Sequence, residues 1–225
     1  CADNQLSSLD LSGLSQLENL WCSRNQLTAL DLSGLSRLKR VQCDENQLTS
    51  LNLTGLESLT HLHCSDNPLK ALDVSSFRKL ESLGCSNSQL TSLNVSNLTN
   101  LIQLECSDNA LTWLDVSMLD NLERLYCENN QLRTLDVTRQ KNLLVVNCEN
   151  NKLTSLKVAG LSKLEYLNCP GNSLTQLDLN GCNELEYPGY GELDFNARDQ
   201  KIDVFMSPRG SGYIGPVDFD PGAEI

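Results

Sequence analysis

Nine cysteines fall at positions 1, 22, 43, 64, 85, 106, 127, 148 and 169, eight consecutive steps of 21 residues. A fixed period of roughly 20 to 50 residues marks a chain of stacked, similar units rather than one irregular core. The same frame surrounds each Cys. Leu17, Leu20, Cys22, Asn25, Leu27, Leu30, Leu32 and Leu35 recur as Leu38, Val41, Cys43, Asn46, Leu48, Leu51, Leu53 and Leu56. The unit reads LxxLxCxxNxLxxLxLxxLxx, which accounts for 45 of the 225 residues being Leu.

Within the unit, Leu20 and Cys22 alternate with Asn19, Trp21 and Ser23. This period of two predicts one short strand per repeat with Leu and Cys inward. Stacking nine such turns at a strand spacing of about 4.8 Å gives a parallel sheet and a rod roughly 43 Å long. Twenty-one residues leave little room for a returning helix. The return path is therefore expected as a short extended piece, Leu30-Asp31-Leu32-Ser33, followed by a 3₁₀ turn at Ser33-Gly34-Leu35-Ser36-Arg37-Leu38, with modest curvature.

This frame resembles the leucine-rich repeat, L-x-x-L-x-L-x-x-N/C-x-L, with Cys in place of the third Leu. The 21-residue unit with a Cys in every strand is most similar to the cysteine-ladder subtype of bacterial, internalin-like surface proteins. The match runs from Cys1 to about Tyr187. The resemblance implies a leucine-rich repeat solenoid with a concave parallel sheet, in a secreted or surface-anchored recognition protein of a bacterium.

The columns of the repeat have both structural and chemical readings. A disulfide framework or a zinc site competes with plain packing for the cysteines. Nine thiols in one inward column have parallel Cβ vectors, poorly directed for S–S bonds, and they never converge on a point, so packing as reduced, buried thiols is favoured. Cys182 lies in a different apolar column, 21 residues after Leu161. The Asn column (Asn4, Asn25, Asn46, Asn67, Asn109, Asn130, Asn151, Asn172) is read as satisfying backbone groups where each strand turns away. Ser88 interrupts it and is expected to mark a local weakness or an ordered water. A column of Asp10, Asp31, Asp73, Asp115, Asp136 and Asp178 raises calcium, but no loop gathers six oxygens around one point, so bonding to neighbouring hydroxyls and amides is the favoured reading.

Function then rests on the outward strand positions, which the core does not dictate. Trp21, Gln42, His63, Gly84, Glu105, Tyr126, Asn147 and Asn168 form one row; Asn19, Arg40, His61, Ser82, Gln103, Arg124, Val145 and Tyr166 form the other. Aromatic residues and Arg are enriched at binding hot spots, although Trp and Tyr also favour strands for their own sake. Trp21, Tyr126 and Tyr166 are the candidate apolar anchors, with Arg40, Arg124, Gln42, His61, His63 and Glu105 setting polar specificity. His61 and His63 are the only histidines. A third metal ligand is wanting, since Glu105 lies two strands from His63, about 10 Å along the stack. Nor does a smooth sheet offer an oxyanion pocket to a triad, so no catalytic or metal residue is assigned and no cofactor is expected.

A formal charge of −12 disfavours nucleic acid and favours a partner with a basic patch, while also serving solubility. No run of some 18 apolar residues is present to span a bilayer. Cys1 enters in mid-repeat, from which an absent N-terminal cap is expected. From Pro188 the frame fails, and residues 188–225 are read as a C-terminal cap laying Phe195, Val204, Phe205 and Tyr213 over the last turn, or as the start of a linker. The reading adopted is a non-enzymatic recognition module, monomeric, extracellular or on a bacterial surface, binding a protein or peptide. Two others stay open: the substrate-recognition arm of a larger effector enzyme, and a structural spacer.

Overall fold

A computed structural model of the chain describes residues 1–185 and the backbone of Asp203–Phe205. Three-residue strands recur once per repeat: β1 (Asn19–Trp21), β2 (Arg40–Gln42), β3 (His61–His63), β4 (Ser82–Gly84), β5 (Gln103–Glu105), β6 (Arg124–Tyr126), β8 (Val145–Asn147) and β10 (Tyr166–Asn168). These eight form one parallel sheet in which each strand meets its equivalent 21 residues away, Leu20 opposite Val41 and Val41 opposite Leu62. The middle residue of every strand is buried. In-register stacking is what an identical repeat dictates, because a one-residue slip would turn every Leu outward.

Inside the coil the Leu columns and the Cys column are almost wholly shielded from water; Cys43, Cys64, Cys85, Cys106, Cys127 and Cys148 have no exposed surface. All ten cysteines are free thiols, and only Cys1 is exposed. Several donate weakly to the next strand, as from Cys64 Sγ to the Gly84 carbonyl at 3.4 Å. Cys182 is buried in its own column, its Sγ 3.4 Å from the Val158 carbonyl.

The Asn column does the backbone work expected of it. Asn67 Nδ2 donates to the carbonyls of Cys43 (3.0 Å), Cys64 (3.2 Å) and Ser65 (3.1 Å), and its Oδ1 accepts the Leu48 N–H at 3.0 Å. The preceding residue, including Arg24, Glu45, Asp66, Asn87, Asp108, Asn129 and Asn150, has φ near +50°, the left-handed conformation that swings the chain off the sheet. At Ser88 the shorter side chain still reaches the carbonyls of Ser86 (3.1 Å) and Cys64 (3.5 Å). It supplies no acceptor for Leu69, whose N–H turns instead to Asn67 O at 2.8 Å, with Lys70 and Gln89 both forced to positive φ. The backbone is thus rearranged at this turn.

The return path consists of two successive i→i+3 turns, Leu35 N–H to Leu32 O (3.3 Å) and Leu38 N–H to Leu35 O (2.9 Å). Both bonds span i to i+3, but Gly34, the third residue of the first turn, has φ +76°, outside the 3₁₀ range, so no continuous 3₁₀ segment forms. The Asx column caps the first turn: Asp31 Oδ1 accepts the Ser33 N–H at 2.9 Å, and Asp115 that of Ser117 at 2.9 Å. Such N–H bonds hold the carboxyls of Asp10 and Asp31 below their ordinary range, and at Asp73 the Ser75 hydroxyl does so first, with the Ser75 N–H. The extended piece before the turns becomes laddered strand late in the chain, at β7 (Thr134–Asp136), β9 (Ser155–Lys157) and β11 (Gln176–Asp178). β7 pairs with β9, and β11 pairs in parallel with β12 (Asp203–Phe205). Beyond that backbone pairing, the expected cover by Phe195, Val204, Phe205 and Tyr213 lies outside the described residues.

Candidate functional site: the outer face of the main sheet

Alternation leaves the first and third residue of each main-sheet strand pointing away from the core. Register then fixes who neighbours whom. Trp21, Gln42, His63, Gly84, Glu105 and Tyr126 are successive neighbours along one row. Arg40, His61, Ser82, Gln103, Arg124, Val145 and Tyr166 are successive neighbours along the other. The predicted polar residues therefore lie together in the middle of the face. The aromatic anchors do not: Trp21 stands five strands from Tyr126, about 24 Å by strand spacing.

Trp21 is 48% exposed, a large apolar side chain at a position whose neighbour Gln42 shows that no apolar group is required. Arg40 is exposed, while Gln42, His61, His63, Glu105, Arg124, Tyr126 and Tyr166 are half-buried. Arg124 directs its guanidinium to Glu123 at 3.6 Å. His61 Nδ1 meets Thr60 Oγ1 at 2.9 Å, and burial, with Arg40 and His63 nearby, holds the imidazole below its usual value against the opposing pull of Glu81.

Side chains at the centre converge more closely than strand spacing implies. Gly84 has no side chain on this face, and His63 folds over it, Nε2 reaching Ser82 Oγ at 3.0 Å. A Cβ on Gly84 would sit 2.8 Å from His63 Nδ1 and 3.5 Å from Glu105 Oε2. Gln103 Nε2 donates to the other Glu105 oxygen. The separation of about 10 Å therefore holds for the backbone of His63 and Glu105, not for their polar ends.

One row further on, Asp44 accepts the Ser65 N–H (2.9 Å) and the Ser23 hydroxyl (3.2 Å), yet burial raises its carboxyl above the usual range. Ser65 and Ser86 continue the pattern, their hydroxyls accepting the N–H of Ser86 (3.0 Å) and Ser107 (3.1 Å). Among the described residues no three His, Cys, Asp or Glu side chains gather to hold a metal ion, and no helix is long and apolar enough to cross a membrane.

Sequence reasoning passed over Trp113, 61% exposed on the flank beside β7. The signal was present, since its column otherwise holds Ser8, Ala29, Ser50, Ala71, Ser92, Thr134, Ser155 and Gln176. Met118, 51% exposed, stands in the same way where most repeats have Gly.

A parallel solenoid with inward Leu, Cys and Asn columns and a bare sheet face is the architecture of a leucine-rich repeat, a fold of protein-interaction modules. The Leucine Rich Repeat family model matches residues 58–80. The functional domain of InlJ from Listeria monocytogenes, which includes a cysteine ladder, is 29% identical, with a TM-score of 0.76 over 92% of this chain and 57% of its own. A leucine-rich repeat protein of Leptospira interrogans is 30% identical, with a TM-score of 0.66 over 72% of this chain and 45% of its own. YopM, a leucine-rich effector protein from Yersinia pestis, is 27% identical, with a TM-score of 0.66 over 80% and 53% respectively. The chain thus spans about half the length of these solved structures. No curated protein matches it in sequence. The chain is a leucine-rich repeat protein of the cysteine-ladder, 21-residue-repeat type.

Proposed function

We propose that the chain is a non-enzymatic recognition module that captures a protein or peptide on the outer face of its main sheet, as part of a bacterial surface or secreted protein. The observation that carries this reading is Trp21, half exposed at a strand position where folding asks for no particular side chain. Tyr126 and Tyr166 add apolar area towards the other end of the face, and Arg40, Arg124, Gln42, His61, His63 and Glu105 supply a polar middle. The likeness to InlJ and to YopM supports an extracellular setting and, with it, adhesion or contact with a host. A monomer, and the division into a repeat region (1–187) and a non-repeat cap or start of a linker (188–225), belong to the same proposal. The test compares proteins captured by the wild-type chain with those captured by a Trp21→Ala/Tyr126→Ala double variant and by Trp113→Ala. Loss of the same partner from the double variant alone supports the sheet face. Retention by the double variant with loss on Trp113→Ala moves the site to the flank.

A further inference from the structure

We propose that Arg40, Trp21 and Asp44 together read an extended partner segment in which an acidic and a basic residue stand four apart with an apolar residue midway. The inference deepens the reading of the main sheet as a recognition face and rests on it. Arg40, Gln42 and Asp44 are successive outward positions along β2 and its continuation, alternating with the buried Val41 and Cys43. The ladder to β1 carries on past the strand ends, Cys22 N–H to Gln42 O at 2.8 Å and Arg24 N–H to Asp44 O at 2.9 Å, so Asp44 keeps the register. Trp21, 48% exposed, stands opposite Gln42 in that register and is therefore level with the midpoint between the two charges.

Other charges at this end of the face are matched within the chain: Lys39 to Glu18 at 2.9 Å, and Arg24 to Asp3 and Glu45 at 3.2 Å and 2.8 Å. Arg40 and Asp44 have no ion-pair partner among the described residues. Nor do they serve each other, since four residues of strand hold their backbones about 13 Å apart. Asp44 is bonded to neutral donors, the Ser65 N–H at 2.9 Å and the Ser23 hydroxyl at 3.2 Å. Burial raises its carboxyl, a cost that a cation from outside would offset.

An extended segment has the same rise as β2, so its residues i, i+2 and i+4 would face Arg40, Trp21 and Asp44 in step. Charge-assisted bonds select the sign at each end, and the indole selects an apolar group between them. The match also sets a direction. A segment lying along the stack would meet side chains every 4.8 Å or so, out of step with its own spacing of about 6.6 Å, so the partner crosses the solenoid parallel to its strands.

The test uses a Trp113→Phe chain, in which Trp21 is the one remaining indole, and follows its fluorescence. The probe is a disulfide-closed hairpin peptide whose outer strand reads Glu-Thr-Val-Thr-Arg. The control hairpin has the same composition in the order Thr-Glu-Val-Arg-Thr, which turns both charges to the other side. The first should bind saturably and at least fivefold more tightly than the second. Asp44→Asn, which keeps an acceptor for the Ser65 N–H, and Arg40→Gln should each weaken the first about threefold, the size of an exposed ion pair. Glu149→Gln, the same charge change elsewhere on the chain, should alter it less than 1.5-fold, roughly the lower end of that range. Urea midpoints of the variants confirm that each is folded. The proposal is overturned if the first hairpin gives no saturable change, if the two bind alike, or if Glu149→Gln weakens binding as much as Asp44→Asn. Any of these outcomes leaves the wider recognition face standing so long as the Trp21→Ala/Tyr126→Ala variant loses its captured partner.

Discussion

Asn46 Oδ1 accepts the N–H of Leu27, nineteen residues earlier and one turn away, at 3.0 Å. The same side chain gives its Nδ2 hydrogens to the carbonyls of Cys22 (3.1 Å), Cys43 (3.0 Å) and Asp44 (3.1 Å). One amide thus joins two turns where neither can continue its strand ladder. The carbonyls have second donors, for Asn25 also reaches Cys22 and Asn67 also reaches Cys43, whereas the side-chain amide of Asn46 is the acceptor for the buried Leu27 N–H. Asn46→Ala should therefore cost about 3 kcal/mol, one orphaned buried donor plus the lost bonds. Thr28→Ala, at an exposed position beside it, should cost under about 0.5 kcal/mol in the same urea titration. Equal effects of the two would remove the Asn column as a source of stability.

The irregular turn around Ser88 predicts a coupled gain. Gln47 N–H bonds Leu27 O at 2.9 Å and Ala110 N–H bonds Leu90 O at 2.8 Å, a rung that Pro68 lacks the N–H to form. Leu69 is then free to turn its own N–H to Asn67, away from where an Asn at 88 would receive it. Ser88→Asn alone should change stability by less than about 0.5 kcal/mol, because the backbone is not in place to use the new acceptor. Pro68→Gln/Ser88→Asn together should gain roughly 1–2 kcal/mol by restoring both rungs. Strict additivity of the two substitutions in urea unfolding would show that Pro68 does not set the local backbone.

How much of this was legible beforehand follows from periodicity. The columns of Leu, Cys and Asn repeat every 21 residues, and a period of two inside each unit identifies the buried side, so strands, register and buried thiols could be read directly. The left-handed residues before each Asn could not, because that position holds Arg24, Glu45, Asp66 and Asn129 alike and the backbone there is set by stacking, not by side-chain type. The meeting of His63 and Glu105 was missed for a related reason. Strand spacing measures backbones, and a glycine between two long polar side chains lets their ends approach.

Gln140 occupies the column of Leu35, Leu56, Leu98, Leu119 and Leu161 and is 0% exposed. Its Nε2 donates to the Val116 carbonyl at 3.0 Å, but its Oε1 has no partner. Val116 O keeps the Leu119 N–H at 2.9 Å regardless, so the lone favourable bond is redundant for the backbone. Gln140→Leu should therefore stabilise the chain by about 1–2 kcal/mol, exchanging an unsatisfied acceptor for apolar packing of similar length. A loss of stability on this substitution would mean that the amide is needed where it stands.

The thiol column predicts both reactivity and pH dependence. Burial raises the Cys22 thiol from its ordinary 9.0 to about 11 and the Cys169 thiol to about 12, and pushes the fully shielded members of the column well above the ordinary value. The thiolate is the nucleophile, and these groups are neither ionised near neutral pH nor accessible. Iodoacetamide at pH 8 should alkylate the exposed Cys1 in the native chain and all ten cysteines in denaturant. The linkage has a definite sign. A thiol held protonated by the fold contributes stability that is complete below pH 9, where both states keep the proton. It is lost as pH rises towards 11 and 12, because the unfolded chain releases protons that the folded chain retains. Urea midpoints should be flat between pH 7 and 8.5 so far as the thiols decide them and should fall steeply above pH 9. Replacing Cys85 and Cys106 with Ala should flatten that alkaline fall while lowering stability at neutral pH, since each removed sulfur leaves a space in the core. Rapid alkylation of the column in the native chain, or an alkaline limb unchanged by the substitutions, would show that these sulfurs are not sealed within the stack.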